Sequence, residues 1–301
     1  MPPESEPHAS HLIGLIGSGI GPSLSPALHE READELGLRY QYRRLDLLEL
    51  GLAPEQIGEL LAAARLTGYT GLNITHPVKQ VVMSHLDLVS EEAAVLRAVN
   101  TVLFRGGKAI GYNTDASGFT RSAMTGLAEA PMDRVVLIGA GGAGAAVAYA
   151  LLGLGAGSLR VLDRDPERGA RLEDALGAHF GRDRIGSGPA EELEEALRGA
   201  DGLVHATPTG MLEHPGTAVP ASLLRPELWV ADIVYRPLET ELLATARAAG
   251  CRVLDGGSMA VYQAVDSFRL FTGIEPDAGR VLRHFDELAA TTRGTPTDAD
   301  H

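Results

Sequence analysis

Cysteine occurs once in 301 residues, at Cys251, so neither an internal disulfide nor a cysteine-built structural zinc site is available. Aromatic side chains make up 5% of the chain, too few for a platform that stacks unpaired bases. Positive charge is also short: 26 Lys and Arg stand against 40 Asp and Glu, a formal net charge of −14. Nucleic-acid backbones and anionic membrane surfaces are held by clustered Lys and Arg, so neither is an expected partner. The opening MPPESEPHAS lacks the basic-then-apolar order of a secretory signal, and it reads as a loose tail, as does TTRGTPTDADH at the other end. The expectation is a cytoplasmic globular protein long enough for two domains.

Glycine, by contrast, is plentiful at 36 residues, beside a 45% apolar fraction that is too high for a disordered chain. Residues 135–159 carry no charge and are long enough to span a bilayer. Seven of those positions are glycine, and Arg134 and Arg160 bracket the run symmetrically. A strand, a tight glycine turn and a buried helix account for it better than a membrane span.

Strand and helix signals alternate along the first half. HLIGLIG at 11–17 is a short apolar run, ALHEREADELGL has helical spacing, YQYRRLDL alternates, PEQIGELLAAARL is amphipathic, and GLNIT is strand-like. Pro77 sits where a helix would start. NTVLF and KAIGYNTD form a hairpin-like pair joined by Arg105-Gly106-Gly107. Further strands are expected at 135–138, 159–163, 202–207, 229–235 and 252–255, with helical spacing after 257. Such alternation predicts an α/β fold with largely parallel sheets.

Gly139-Ala140-Gly141-Gly142-Ala143-Gly144 fits the GxGxxG pattern directly after a predicted strand and before a predicted helix. Glycine serves there for the turn, for backbone approach to a diphosphate, and for close helix–strand packing. Asp163 ends the next strand, where a ribose-binding carboxylate belongs. A carboxylate accepts from a 2′-hydroxyl and repels a 2′-phosphate, which favours NAD. Arg164 and Arg168 follow at once and could pair with that phosphate, so NADP stays open; they could also be ordinary surface ion pairs.

Other polar clusters lie at turns and strand ends. In Asn73-Ile-Thr75-His76-Pro77-Val78-Lys79, a helix starting at Pro77 would place Lys79 in its first turn, where the positive end of the helix disfavours an ammonium. Asn100-Thr101 and Asn113-Thr114-Asp115 can send side chains into a cleft, or act as turn formers. Ser23 and Ser25 share a side if their loop is extended, and two hydroxyls together suit an organic carboxylate. None of the ten histidines forms a His-x-x-x-His pair, and no catalytic metal is expected.

Taken in order, GPSLSPALHE, GYTGLNITHPVKQ, AVNTV, GYNTDASGF, GAGGAGAAVAYAL, HATPTGM, DIVYRPLETELL and DGGSMAVYQAVDSFRLFTG resemble the shikimate/quinate dehydrogenase family over about residues 12–288. The resemblance is strongest to the bacterial NAD-using branch, because Asp163 stands where the NADP-using branch has Asn. It implies a substrate domain over 11–115, completed by 258–290, and a Rossmann-type NAD(P)-binding domain over 116–257. It further implies Lys79 and Asp115 as the catalytic pair on the reacting hydroxyl. Ser23 and Ser25 would take the substrate carboxylate, Thr75, Asn100 and Gln263 the ring hydroxyls, and Tyr235 would close the pocket. Residues Gly139, Ala140, Gly141, Gly142 and Ala143 would hold the diphosphate, while Thr207, Val234, Gly256 and Met259 would line the nicotinamide side. Pro22 and Thr209 depart from the family's usual His and Met.

The substrate implied is a small hydroxylated cyclic carboxylate, shikimate or quinate, and the chain would be a monomer or homodimer. An amino-analogue dehydrogenase of secondary metabolism, or a non-catalytic sensor of the same ligands, are the alternatives. Intact Lys79 and Asp115 argue against a sensor.

Overall fold

Strand β1 (Ser10–Gly17) is apolar on both faces, with every position from Gly14 to Gly17 buried, so the chain must cover it from two sides. A computed structural model shows how, and it describes residues 10–293 of the chain. The loose tails expected at the two ends lie outside those residues, except that Ser10 opens β1 and residues 291–293 continue the last helix. The described residues divide into two compact units, one ending at Thr114 and resuming from Ala264, the other Asp115–Gln263.

In the first unit β1 leads through helix α1 (Ser25–Glu35) to β2 (Arg39–Asp46). Short α2 (Leu47–Leu50) and α3 (Ile57–Leu66) follow, then β3 (Gly71–Ile74), β4 (Leu88–Val89), α4 (Glu91–Leu96), β5 (Thr101–Arg105) and β6 (Lys108–Tyr112). The six strands order β2-β1-β3-β5-β6-β4; β1 runs parallel to β2 and β3, and β5 is antiparallel to both β3 and β6. One side of the sheet packs Ile16, Leu61, Leu72, Ile74, Val82 and Val102, the other Ile13, Leu15, Tyr42, Leu103 and Phe271. This topology brings four ends to a single edge: the carboxyl ends of β1, β3 and β6, and the amino end of β5.

The helix expected to start at Pro77 does not form. Its third carbonyl, that of Lys79, accepts from Val99 N–H at 2.9 Å and is lost to a helical ladder. A turn therefore continues to Gln80, and only a 3₁₀ segment follows, over Val81–His85.

The second unit opens within α5 (Thr114–Gly126) and holds β7 (Arg134–Ile138), α6 (Gly142–Gly153), β8 (Ser158–Asp163), α7 (Pro166–Phe180) and β9 (Ile185–Pro189). It continues with α8 (Leu193–Leu197), β10 (Gly202–His205), β11 (Trp229–Asp232), α9 (Glu241–Ala248) and β12 (Arg252–Leu254). Helix α10 (Gly256–Thr272) begins here and runs on past Ala264, and α11 (Ala278–Arg293) belongs to the first unit. All six strands are parallel, ordered β12-β11-β10-β7-β8-β9. The chain winds outward from β7 through β8 and β9, then returns to β7's other side for β10. The switch between β7 and β10 opens the crevice where α/β sheets of this kind bind ligands.

Residues 135–159 accordingly form a strand, a glycine turn and an apolar helix, with α6 buried at eight of its twelve positions. No helix among the described residues is long and apolar enough to cross a membrane. Near the end of the unit, a Cβ on Gly118 would stand 2.8 Å from Gln263 N and 2.9 Å from Met259 O. Glycine there lets α5 and α10 meet backbone to backbone.

Candidate active site

The glycine turn after β7 divides its glycines by task. A Cβ on Gly144 would fall 1.9 Å from the Gly139 carbonyl oxygen, and one on Gly139, whose φ is +104°, would fall 2.5 Å from that of Ala206. Both are required by the fold itself. Gly141 and Gly142 are different, because nothing lies within 4 Å of a Cβ at either. Their bare backbone faces open space at the start of α6, which has no side-chain cap and no acid in its first turn. The positive end of that helix is thus left to an outside anion, as a dinucleotide diphosphate requires.

Asp163 stands at the end of β8, as expected, and both of its carboxylate oxygens are engaged by backbone. One carboxylate oxygen accepts from Ala140 N–H at 2.6 Å, the other from Asp165 N–H at 2.8 Å. The acid therefore pins the glycine turn to the neighbouring strand, and each oxygen retains further acceptor capacity for a ribose hydroxyl. Asp165 caps α7 by accepting from Glu167 N–H, and Arg168 pairs with it at 3.2 Å. Arg168 is therefore a surface ion-pair partner, while Arg164 is exposed directly beside Asp163. These residues fit a nicotinamide dinucleotide. Val234 and Gly256 also come together, with a Cβ on Gly256 2.7 Å from the Val234 carbonyl oxygen. Tyr235 is partly exposed, and Gln263 donates its amide to Ala260 C=O at 3.0 Å.

At the edge defined by β1, β3, β5 and β6 in the first unit, the segment leaving β1 carries Ser23 and Ser25, the segment leaving β3 carries Thr75 and Lys79, and Asn100 directly precedes β5. Ser18 N–H donates to His76 C=O at 3.0 Å, joining the loops that leave β1 and β3. Gly17 permits this, since a Cβ there would strike Thr75 Cγ2 at 2.3 Å. Asp46 shapes the same loop by accepting from the N–H groups of Gly19, Ile20 and Leu48 at 3.0, 2.8 and 3.0 Å. Burial acts to raise the Asp46 pKa, but these backbone donors outweigh it and the net shift is downward.

The serine loop is not extended. Leu24 takes a helical conformation, Ser25 is the first residue of α1, and Ser25 N–H donates to Ser23 Oγ at 3.3 Å. The two hydroxyls are thus neighbours through a turn rather than by alternation. Lys79 is half-buried, its position set by the bond from Val99 to its carbonyl.

Sequence reasoning missed the buried network behind Asn100. Tyr42 Oη donates to Asn73 Oδ1 at 2.7 Å, and Asn73 Nδ2 donates to Thr101 Oγ1 at 3.1 Å. Thr101 Oγ1 donates to Asn100 Oδ1 at 3.0 Å, which also accepts from Thr114 N–H at 2.7 Å. Asn100 is thereby oriented by Thr101 of β5 and Thr114 of α5, and Asp115 is the next residue after Thr114, in the first turn of α5. Also missed were His205, Asp232 and Thr240, all buried at the crevice end of the second sheet. The available signal was positional: a polar residue closing each of two apolar strands.

A family model described as the shikimate dehydrogenase substrate binding domain matches residues 15–102. A shikimate dehydrogenase (NADP(+)) from Streptomyces avermitilis is 61% identical over 282 residues, 94% of this chain and 97% of the relative. A quinate/shikimate dehydrogenase (NAD(+)) from Corynebacterium efficiens is 52% identical over 279 residues, covering 92% of this chain and 98% of its own. Among solved structures, the quinate dehydrogenase of Corynebacterium glutamicum in complex with NAD superposes with a TM-score of 0.88 at 48% identity, covering 92% and 99% of the two chains.

Proposed function

The chain belongs to the shikimate/quinate dehydrogenase family, and on that footing we propose that it catalyses the reversible NAD(P)-dependent oxidation of shikimate to 3-dehydroshikimate, of quinate to 3-dehydroquinate, or of both. The observation that carries this is the sheet edge of the first unit. It holds a half-buried lysine, two serine hydroxyls and an amide fixed from behind by Tyr42, Asn73 and Thr101. Such an edge recognises a small polyhydroxylated acid, and the glycine turn and Asp163 of the second unit supply a dinucleotide site.

The bound dinucleotide supplies the hydride acceptor. Lys79 takes the proton of the reacting hydroxyl, and Asp115 orients that hydroxyl; general base catalysis of this kind is worth roughly 10²–10⁴-fold. Ser23 and Ser25 donate to the substrate carboxylate, with Ser25 in the first turn of α1 adding the favourable end of a helix. Thr75, Asn100 and Gln263 hold the ring hydroxyls, and Tyr235 closes over them.

NAD is the preferred cofactor. A 2′-phosphate adds nearly two negative charges, and it would have to lie beside the Asp163 carboxylate, which two backbone amides hold in place. Arg168 is already paired with Asp165, leaving Arg164 as the nearby cation for NADP.

Nicotinamide absorbance, followed with shikimate or quinate and with either NAD or NADP, tests both statements. Turnover of at least one acid, faster with NAD, is expected. Ligand binding without turnover for every pair would make the protein a sensor instead.

A further inference from the structure

Behind the crevice of the second sheet runs a buried hydrogen-bonded chain that no step of the proposed reaction uses. Thr240 Oγ1 donates to Asp232 Oδ2 at 2.7 Å, and Asp232 Oδ1 accepts from Val234 N–H at 3.1 Å. The same oxygen lies 3.0 Å from His205 Nδ1, and His205 Nε2 lies 2.5 Å from Thr207 Oγ1. Thr209 N–H points at Thr207 Oγ1 from 3.3 Å. His205, Asp232 and Thr240 are each 1% exposed, so water does not compete for these bonds.

The polarity of the chain follows from its acid end. Asp232 offers acceptor oxygens only, so the imidazole nitrogen facing it carries the proton. When the ring is neutral it presents a bare Nε2 to Thr207, and the threonine hydroxyl donates to it. With its one proton committed inward, and one lone pair taken by Thr209 N–H, Thr207 Oγ1 retains a single acceptor site. Thr207 lies at the carboxyl end of β10, and its methyl is 3.0 Å from the Cβ position of Gly139 across the switch crevice. Asp163 marks the adenosine half over β8, so the β10–β11 side belongs to the nicotinamide half.

We infer that His205, held by Asp232 and Thr240, is a positioning residue that makes Thr207 an obligate hydrogen-bond acceptor for the carboxamide N–H of the nicotinamide. This rests on the dehydrogenase reading above. It adds a device for cofactor recognition in which the hydroxyl cannot turn to present its proton. The exocyclic amino group is then told apart from a group of similar size that has no N–H to give.

Two measurements on the whole protein test this. The first is the tautomer of His205 in the ligand-free wild type, read from side-chain ¹⁵N signals assigned by their loss in His205→Asn. A proton on Nδ1 with a bare Nε2 is expected at neutral pH; a proton on Nε2, with or without one on Nδ1, overturns the inference. The second is the dissociation constant of NAD against that of its 3-acetylpyridine analogue, in which a methyl replaces the amino group. The wild type should prefer NAD by about threefold to tenfold, the worth of one hydrogen bond, and His205→Phe should lose that preference. An equal preference in wild type and in a folded His205→Phe overturns the inference. If His205→Phe does not fold, Thr207→Val serves in its place with the same expectation. Failure of the wild type to bind any nicotinamide dinucleotide would overturn the dehydrogenase reading as well, whereas the wrong tautomer in a protein that does bind overturns only the role of His205.

Discussion

The Asp163 carboxylate accepts the Ala140 N–H at 2.6 Å, so the acid proposed to meet a ribose also closes the glycine turn proposed to meet the diphosphate. On that proposal, cofactor choice and turn geometry are coupled through one side chain. Asp163→Asn keeps an acceptor for Ala140 and removes the charge. Its NAD-to-NADP ratio of kcat/KM should fall by about tenfold or more, since one charge at hydrogen-bond range is worth at least about 1.4 kcal/mol. Asp163→Ala should in addition lower stability by roughly 1–3 kcal/mol, because the Ala140 and Asp165 amides lose their acceptor. Parallel cofactor kinetics and thermal unfolding check both, and an unchanged ratio in Asp163→Asn would remove the acid from the ribose site.

The glycines of the turn separate folding from binding. Gly144→Ala drives a methyl into the Gly139 carbonyl at 1.9 Å and should destabilise the second unit outright. Gly142→Ala meets no atom within 4 Å beyond its chain neighbours and its own helix backbone, so its melting temperature should stay near wild type while dinucleotide affinity drops. Calorimetric titration with NAD after a thermal melt distinguishes them. A Gly142→Ala protein that binds NAD as tightly as wild type would show that the diphosphate lies elsewhere.

His29 ties stability to acid. It is buried in the first unit, its Nδ1 2.9 Å from Tyr40 Oη, and burial pushes its pKa from 6.5 down to about 3. The folded state thus excludes a proton that the unfolded chain binds below pH 6.5. The stability it contributes is complete above that pH and is lost as pH falls toward 3, by about 1.4 kcal/mol per unit. Buried His11 and His284 shift in the same direction. His29→Phe should flatten, without abolishing, the decline in urea midpoint between pH 6.5 and 4. An unaltered slope would mean that His29 is protonated in the folded protein.

The parts of the fold that could be read from the sequence were those whose signal is local. Apolar and alternating runs located ten of the twelve strands among the described residues, all but the two-residue β4 and β9, and the glycine spacing placed the turn after β7 and Asp163 at the end of β8. Strand β9 (Ile185–Pro189) escaped notice because two glycines and a proline give it no strand pattern; pairing with β8 at the sheet edge makes it a strand. Pro77 looked like a helix start because the competing bond, from Val99 to Lys79, spans twenty residues. Candidate side chains such as Lys79, Asn100 and Asp163 stand in recognisable motifs. The residues that orient them do not: Tyr42 reaches Asn73 across 31 positions, and Asp232 reaches His205 across 27. Partners that far apart leave no trace in spacing.

Lys79 carries the central claim, since it is the group given the proton of the reacting hydroxyl. The direct test is steady-state oxidation of shikimate and quinate by the wild type and by Lys79→Ala, with kcat and KM separated. The wild type should turn over with NAD, and Lys79→Ala should lose about 10²–10⁴-fold in kcat while KM stays within about tenfold. A normal kcat with a large rise in KM would make Lys79 a binding residue and contradict the proposed proton transfer.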